Sequence, residues 1–347
     1  MHILPVYHRI LLLTEGQLGV FSSKTAASLL RYRGNDVVGV VDSAAAGRNI
    51  ADFIPWAPPV PIVPDIAATA PLQPDALFVG VAPVGGALPD DMRAPVVAAL
   101  NAGIDVVSGM HGFLSDDPEL VSLAARRGAR LLDLRRPPAD RVVASAQALH
   151  TRCRRVLTVG TDCNVGKMVA ALELTAAARR RGADARFLAT GQTGIMIAGR
   201  GISVDACVAD FTAGAVEQLV LDAADADICF VEGQGSVAHP GYSAVTLALL
   251  HGACPDVLVL VHQLGRTHYK APPNGPLPAM RRLIDVYEQT AGLLHPARVV
   301  ALAVNSVGQT DAAARTGVSA LERELGLPVA DPVRDGCDRI LDAVLGG

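Results

Sequence analysis

The chain has 347 residues, half of them hydrophobic and 4% aromatic, a length and composition that suit two α/β domains of ordinary size. Its net charge of −4, with basic residues scattered rather than gathered in a tract, argues against nucleic acid as a partner. None of the six cysteines falls in a C-x-x-C pair, and no apolar run is long enough to span a bilayer, which excludes a disulfide scaffold and a membrane helix.

The N-terminus, Met1 to Arg9, lacks a basic region followed by an apolar one, so the expectation is a cytoplasmic protein with no membrane contact. Ile10 to Leu13 is a buried type of strand, and Ser22 or Ser23 would cap a helix ending near Gly34. Val37 to Val41 supplies a second strand that ends at Asp42. In a β-α-β unit, an acidic residue there is where dinucleotide folds hold a ribose, but Gly16-x-x-Gly19 is not G-x-G-x-x-G. The expectation is a Rossmann-like scaffold without nicotinamide. Pro55 to Pro64 reads as an irregular connection, followed by strands at Ala76 to Val81, Asp105 to Ser108 and Ala129 to Leu134. Loops 82–86 and 109–114 lie where open α/β sheets place ligands, and His111 would line a pocket there unless these glycines only make tight turns. The expected boundaries are a first domain over 1–138, with Arg135-Arg136-Pro137-Pro138 as its exposed end, a linker over 139–151, and a second domain over 152–347.

Val156 to Val159 is a short apolar strand that runs into Gly160-Thr161-Asp162-Cys163-Asn164-Val165-Gly166-Lys167, and Val165, Val169, Leu172 and Ala176 then recur at helical spacing. The G-x-x-x-x-G-K spacing between a strand and a helix makes a phosphate cradle. Its backbone N–H groups and helix N-terminus face the anion, and Lys167 supplies a mobile charge. Where such loops carry a Ser or Thr that ligates magnesium, this one has Met168, which favours holding a diphosphate over hydrolysing a nucleotide.

Four further strands end in polar residues. Arg186 to Ala189 leads to Thr190-Gly191-Gln192-Thr193-Gly194, whose hydroxyls and amide suit phosphate or carboxylate. Ile228 to Val231 leads to Glu232, a Walker-B-like carboxylate that would hold a cation or act as a base, with His239 as a second acid/base candidate or a packing residue. Val257 to Val261 leads to a cation-rich loop in which Arg266 and Lys270 would clamp a carboxylate or form a solvated edge. Val299 to Val304 ends at Asn305, whose amide presents a donor and an acceptor to a nucleobase. Helix Asp311 to Leu325 and the tail 327–332 complete the chain.

Gly160-Thr-Asp, Val165-Gly-Lys167, Thr190-Gly-Gln-Thr193, Val231-Glu-Gly-Gln-Gly235 and Val304-Asn305 together resemble dethiobiotin synthetase and related P-loop proteins. Gly160-Thr-Asp-Cys, Val165-Gly-Lys-Met168, Ala189-Thr-Gly-Gln-Thr-Gly194 and Asp210 to Glu217 resemble, more closely and over nearly the whole chain, a family long described only as a domain of unknown function that contains bacterial D-glutamate N-acetyltransferases.

That second resemblance implies transfer of an acetyl group from acetyl-CoA to the α-amino group of a D-amino acid, upstream of a racemase-like enzyme. The expected fold is a Rossmann-like domain plus a P-loop domain with a mostly parallel sheet, in a homo-oligomer. Gly160 to Met168 and Asn305 would hold the CoA, Glu232 or His239 would be the base, and Thr190 to Thr193 with Arg266 and Lys270 would bind the substrate. Two alternatives stay open: an ATP-dependent ligase with Asp162 and Glu232 on magnesium, and a nucleotide-binding protein without catalysis.

Overall fold

The structure, a computed structural model, describes residues 1–82 and 85–346, so Pro83 and Val84 of the loop expected at 82–86 lie outside the described residues. In chain order it contains β1 (His2–Ile3), β2 (Ile10–Leu13), α1 (Lys24–Tyr32), β3 (Val37–Val41), β4 (Ile62–Val63), β5 (Ala76–Val79), α2 (Asp90–Asn101), β6 (Asp105–Ser108), α3 (Pro118–Arg127) and β7 (Leu131–Asp133). There follow β8 (Arg154–Gly160), α4 (Lys167–Arg180), β9 (Ala185–Leu188), α5 (Gln192–Ala198), β10 (Arg200–Gly201), α6 (Ala209–Leu221), β11 (Ile228–Val231), α7 (Ser243–Ala253), β12 (Val257–Gln263), α8 (Met280–Ala291), β13 (Arg298–Asn305), α9 (Asp311–Leu325), β14 (Val329–Ala330) and α10 (Asp338–Gly346). Two compact units result: Met1–Pro137 with Ile195–Ala206, and Pro138–Gly194 with Cys207–Gly347.

The first unit is a six-stranded sheet in the order β4-β3-β2-β5-β6-β7, with every pairing parallel. Counted along the sheet this is the 3-2-1-4-5-6 order of a Rossmann fold. Ile10 to Leu13 are fully buried because a parallel sheet is covered on both faces, so its strands read as continuous apolar runs. On one face, Leu11, Leu13, Leu77, Val79 and Val106 pack with Val96, Leu100 and Leu120 of α2 and α3. Asp117 caps α3 by accepting the N–H groups of Glu119 and Leu120, and Pro118 occupies the first turn, where its missing donor costs nothing. Ser23 sits at the N-cap of α1 as expected, but its hydroxyl is turned back to the Gly19 carbonyl and makes no cap bond.

The second unit has a six-stranded sheet in the order β14-β13-β12-β8-β11-β9, again wholly parallel. The α/β class and mostly parallel sheets follow the expectation. Two edge strands do not. The proline-rich connection contains β4 and the tail contains β14, each two residues long and too short to show a period in sequence. Residues 139–151, read as a linker, group with the second unit, where the buried Glu217 carboxylate accepts the N–H groups of Ser145 and Gln147 at 3.0 and 2.7 Å.

Candidate functional site

The strand order decides which loops meet. With β8 at the middle of the second sheet, β12 on one side and β11 on the other bring His262 and Glu232 to the loop that follows Gly160. The loop turns through left-handed backbone at Asn164 (φ 54°) and Gly166 (φ 112°), and such turns point successive N–H groups inward as an anion nest at the start of the 14-residue helix α4. Gly166 needs to be glycine for that φ.

Lys167 is buried, and its Nζ donates to the Asp162 carbonyl at 2.8 Å. Burial lowers its pKa to about 8, outweighing the nearby negative charges of Cys163 and Asp162. An anion in the loop would supply the counter-charge this ammonium needs.

Asp162, fully buried, ties the loop together. Its Oδ1 accepts the Cys163 N–H at 2.7 Å, and its Oδ2 accepts Arg266 Nη1 and the Lys270 backbone N–H, both at 2.9 Å. Arg266 also donates to the Cys163 carbonyl at 2.8 Å and to the Gln263 side chain. The guanidinium expected to clamp a substrate carboxylate is therefore engaged in holding the phosphate loop. The same contacts balance the charge of Asp162 and take up three of its roughly four acceptor sites. From β12, His262 Nδ1 lies 2.9 Å from Thr161 Oγ1, and burial, reinforced by the charge of Arg266, lowers its pKa to about 4. Tyr287 of α8 donates to the Gly160 carbonyl at 2.7 Å and accepts the Val237 N–H at 3.1 Å, bracing the loop from below.

Glu232 does not stand open either. Its Oε2 accepts the N–H groups of Thr190 and Gly191 at 2.9 and 3.2 Å, while the Thr190 hydroxyl donates to the Glu232 carbonyl at 2.7 Å. A side chain at Gly194 would meet Glu232 Oε2 at 2.3 Å, so the turn closes over the carboxylate only with glycine there. The Thr190 hydroxyl expected to meet a ligand is spent on Glu232 together with two backbone N–H groups, because β11 lies between β8 and β9 and carries Glu232 to the Thr190 turn. Gln192 and Thr193 open α5, where the Gln192 amide donates to the Thr193 hydroxyl.

His239 is 2% exposed, packed between Tyr242 and Tyr269 at ring separations of 4.7 and 5.3 Å. Its Nδ1 accepts the Gly241 N–H at 3.1 Å. A backbone N–H can only donate, so the neutral ring carries its proton on Nε2. Among the described residues the buried Nε2 has no hydrogen-bond partner. The ring expected as a base thus presents a donor. One ligand atom each from Asp162, Cys163 and His239 lies within 4.8 Å of the others. The spacing would admit a cation, but Arg266 neutralises the carboxylate and Lys167 adds positive charge, so the cluster suits an anion better. Asn305 lies against the loop, its Nδ2 3.6 Å from where a Gly166 side chain would begin, and its Oδ1 accepts the Val307 N–H. Met168, half-buried in the first turn of α4, offers no hydroxyl.

In the first unit Asp42 accepts the Thr14 hydroxyl at 2.9 Å and the Ala45 N–H at 3.1 Å, fully buried and closed to a ribose. His111 is exposed, and its backbone N–H donates to the Gly86 carbonyl. Sequence reasoning missed Tyr242, Tyr269, Tyr287 and His262, which no local motif marks, since only strand order and the loop path bring them to the site.

Two family models match the chain, both of a domain of unknown function, DUF1611: its Rossmann-like domain over residues 43–137 and its P-loop domain over residues 142–341. A D-glutamate N-acetyltransferase from Tritonibacter scottomollicae is 36% identical over 328 residues, 94% of this chain and 95% of that protein. Another from Pseudoalteromonas sp. is 38% identical over 278 residues, 80% of this chain and 83% of that protein. The crystal structure of a DUF1611 family protein from Anabaena variabilis matches with a TM-score of 0.93 at 41% identity, over 98% of this chain and 100% of that one.

Proposed function

Because the chain belongs to the DUF1611 family and is an N-acetyltransferase, we propose that it transfers the acetyl group of acetyl-CoA to the α-amino group of D-glutamate at the carboxyl edge of the second sheet. The observation that carries the placement is the buried, cationic phosphate loop. Lys167 and the N-terminus of α4 attract an anion there, while Met168 brings no hydroxyl for magnesium and Asp162 is already paired with Arg266. Acyl transfer needs the first feature and not the second. A thioester gains from positive charge and N–H donors where its carbonyl oxygen turns anionic, whereas phosphoryl transfer needs a metal across the phosphates.

The amine must lose a proton before it attacks. With its pKa lowered to about 8, Lys167 has a neutral fraction near physiological pH that can accept that proton and return it. Among the described residues no helix is long and apolar enough to cross a membrane, and none of the six cysteines is in a disulfide. We place the enzyme in the cytoplasm, where thiols stay reduced, and its N-acetylated product before a racemase-like step.

Thiol release from acetyl-CoA, followed on addition of D-glutamate, L-glutamate or D-alanine, tests the reading. Release that depends on D-glutamate and yields N-acetyl-D-glutamate is expected. Acetyl-CoA left intact with every amine tried, alongside tight Mg-ATP binding, would overturn it.

A further inference from the structure

Resting on the acetyltransferase reading above, we propose that Cys163 is a catalytic nucleophile that carries the acetyl group as a thioester between acetyl-CoA and the amine. Two features of the structure, its neighbours and its place in the loop, bear on its sulfur. The Cys163 side chain lies within 4.8 Å of a ring nitrogen of His239 and a carboxylate oxygen of Asp162. His239 Nε2–H, buried and without a partner, is on the ring edge opposite the one that Gly241 occupies. A buried donor of this kind costs free energy unless something accepts from it, and a thiolate or a tetrahedral oxyanion is such an acceptor.

The electrostatics point the same way. Cys163 sits in the turn before α4, in the same loop as the Lys167 ammonium. Helix N-termini and neighbouring ammonium groups stabilise thiolates over thiols. The Cys163 N–H is fixed on Asp162 Oδ1 at 2.7 Å, which holds the residue in the loop, while the side chain remains only partly buried and so within reach of a substrate. A structural cysteine would be better placed in the apolar core, where Cys229 and Cys254 are.

The steps balance. The Cys163 thiolate attacks the thioester carbonyl carbon, and the oxyanion of the tetrahedral intermediate accepts from His239 Nε2–H. Collapse breaks the bond to the CoA sulfur, which leaves as a thiolate and takes a proton from the Lys167 ammonium. The substrate ammonium then gives a proton to the Lys167 amine, and the neutral amine attacks S-acetyl-Cys163. The amide bond forms, the bond to Sγ breaks, the Cys163 thiolate is restored, and the second amine proton passes to water. A consequence concerns the donor. Its diphosphate and its thioester lie at opposite ends of the pantetheine arm, so the loop that holds Cys163 meets the acetyl end and the diphosphate lies elsewhere, contrary to the expectation from loop spacing alone.

The protein mixed with acetyl-CoA alone, quenched and measured by intact mass and peptide mapping, gives the test. A burst of free CoA equal to the enzyme concentration is expected, with one acetyl group on the Cys163 peptide that hydroxylamine removes and D-glutamate discharges as N-acetyl-D-glutamate. Cys163→Ala should lose the burst and roughly a thousandfold or more in turnover. His239→Gln, which keeps an N–H donor, should retain more of the burst rate than His239→Phe. Full turnover by wild type with no acetylated peptide, or by Cys163→Ala, overturns the covalent step while leaving the acetyltransferase reading intact. Should Cys163→Ala fail to fold, the mapping of wild type decides alone. With neither burst nor turnover, both readings fall.

Discussion

The two units carry the same kind of sheet and treat its carboxyl edge in opposite ways. In the first unit the buried carboxylates are satisfied by their own loops: Asp42 by Thr14 and Ala45, and Asp133 by the N–H groups of Leu114 and Ser115 at 3.0 and 2.9 Å. In the second, Lys167 and His262 are held at lowered pKa values by burial, and His239 keeps a buried donor with no partner. A parallel sheet tells where a ligand can bind, at the edge beyond the carboxyl ends of its strands. Which of two such edges is used is told by polar groups kept at a cost, since a protein gains nothing in stability from a desolvated ammonium or an unmet N–H.

Substitutions should separate the two edges sharply. Lys167→Met keeps volume and removes the charge, so acetyl transfer should fall by roughly a hundredfold to a thousandfold, as for loss of one oxyanion donor, while the melting temperature rises because a desolvated cation is gone. Steady-state kinetics and calorimetry on one sample read both, and a fall in stability together with unchanged kcat/KM would place Lys167 among structural groups. Asp162→Asn leaves Arg266 buried against a neutral partner, and breaking a buried pair in this way costs about 3 kcal/mol or more of unfolding free energy, with the loop and the turnover lost alongside. Asp42→Asn in the first unit should cost about 1–3 kcal/mol, the penalty of an imperfectly met buried group, and leave kcat unchanged. A large loss of kcat with normal stability would instead mark the first edge as functional.

Much of this contrast was legible in sequence, though not all of it. The fold class, the long strands and the phosphate loop follow from apolar runs, the spacing of Gly160, Gly166 and Lys167, and the helical recurrence after Val165. Positions were legible and partners were not. Arg266 was readable as a cation in a loop, but its engagement with Asp162 depends on β12 lying beside β8, which no local pattern encodes. Glu232 was readable as an acid at a strand end, and the insertion of β11 between β8 and β9 is what turns it onto Thr190 and Gly191. The tautomer of His239 depends on one backbone N–H two residues further on.

The smallest expected effect, and the one most particular to the second edge, is in the pH dependence of stability. Lys167 has a pKa of about 8 in the folded protein against an ordinary 10.5, so between those values the unfolded chain binds the extra proton and stability rises with pH. Below about pH 8 both states are protonated and the full penalty of burying the charge is present. His262 works in the acid range: its folded value of about 4 lies below 6.5, so stability falls as pH drops from about 6.5 towards 4, and the loss is complete below that. Urea midpoints of wild type and Lys167→Met should therefore converge between about pH 8 and 10.5, and His262→Gln should flatten the acid limb alone. A ligand that needs the Lys167 charge acts with the opposite sign, since its affinity must weaken as pH rises through about 8. A wild-type curve that runs parallel to that of Lys167→Met across this window would mean the ammonium is not desolvated, and the distinction between the two edges would lose its strongest support.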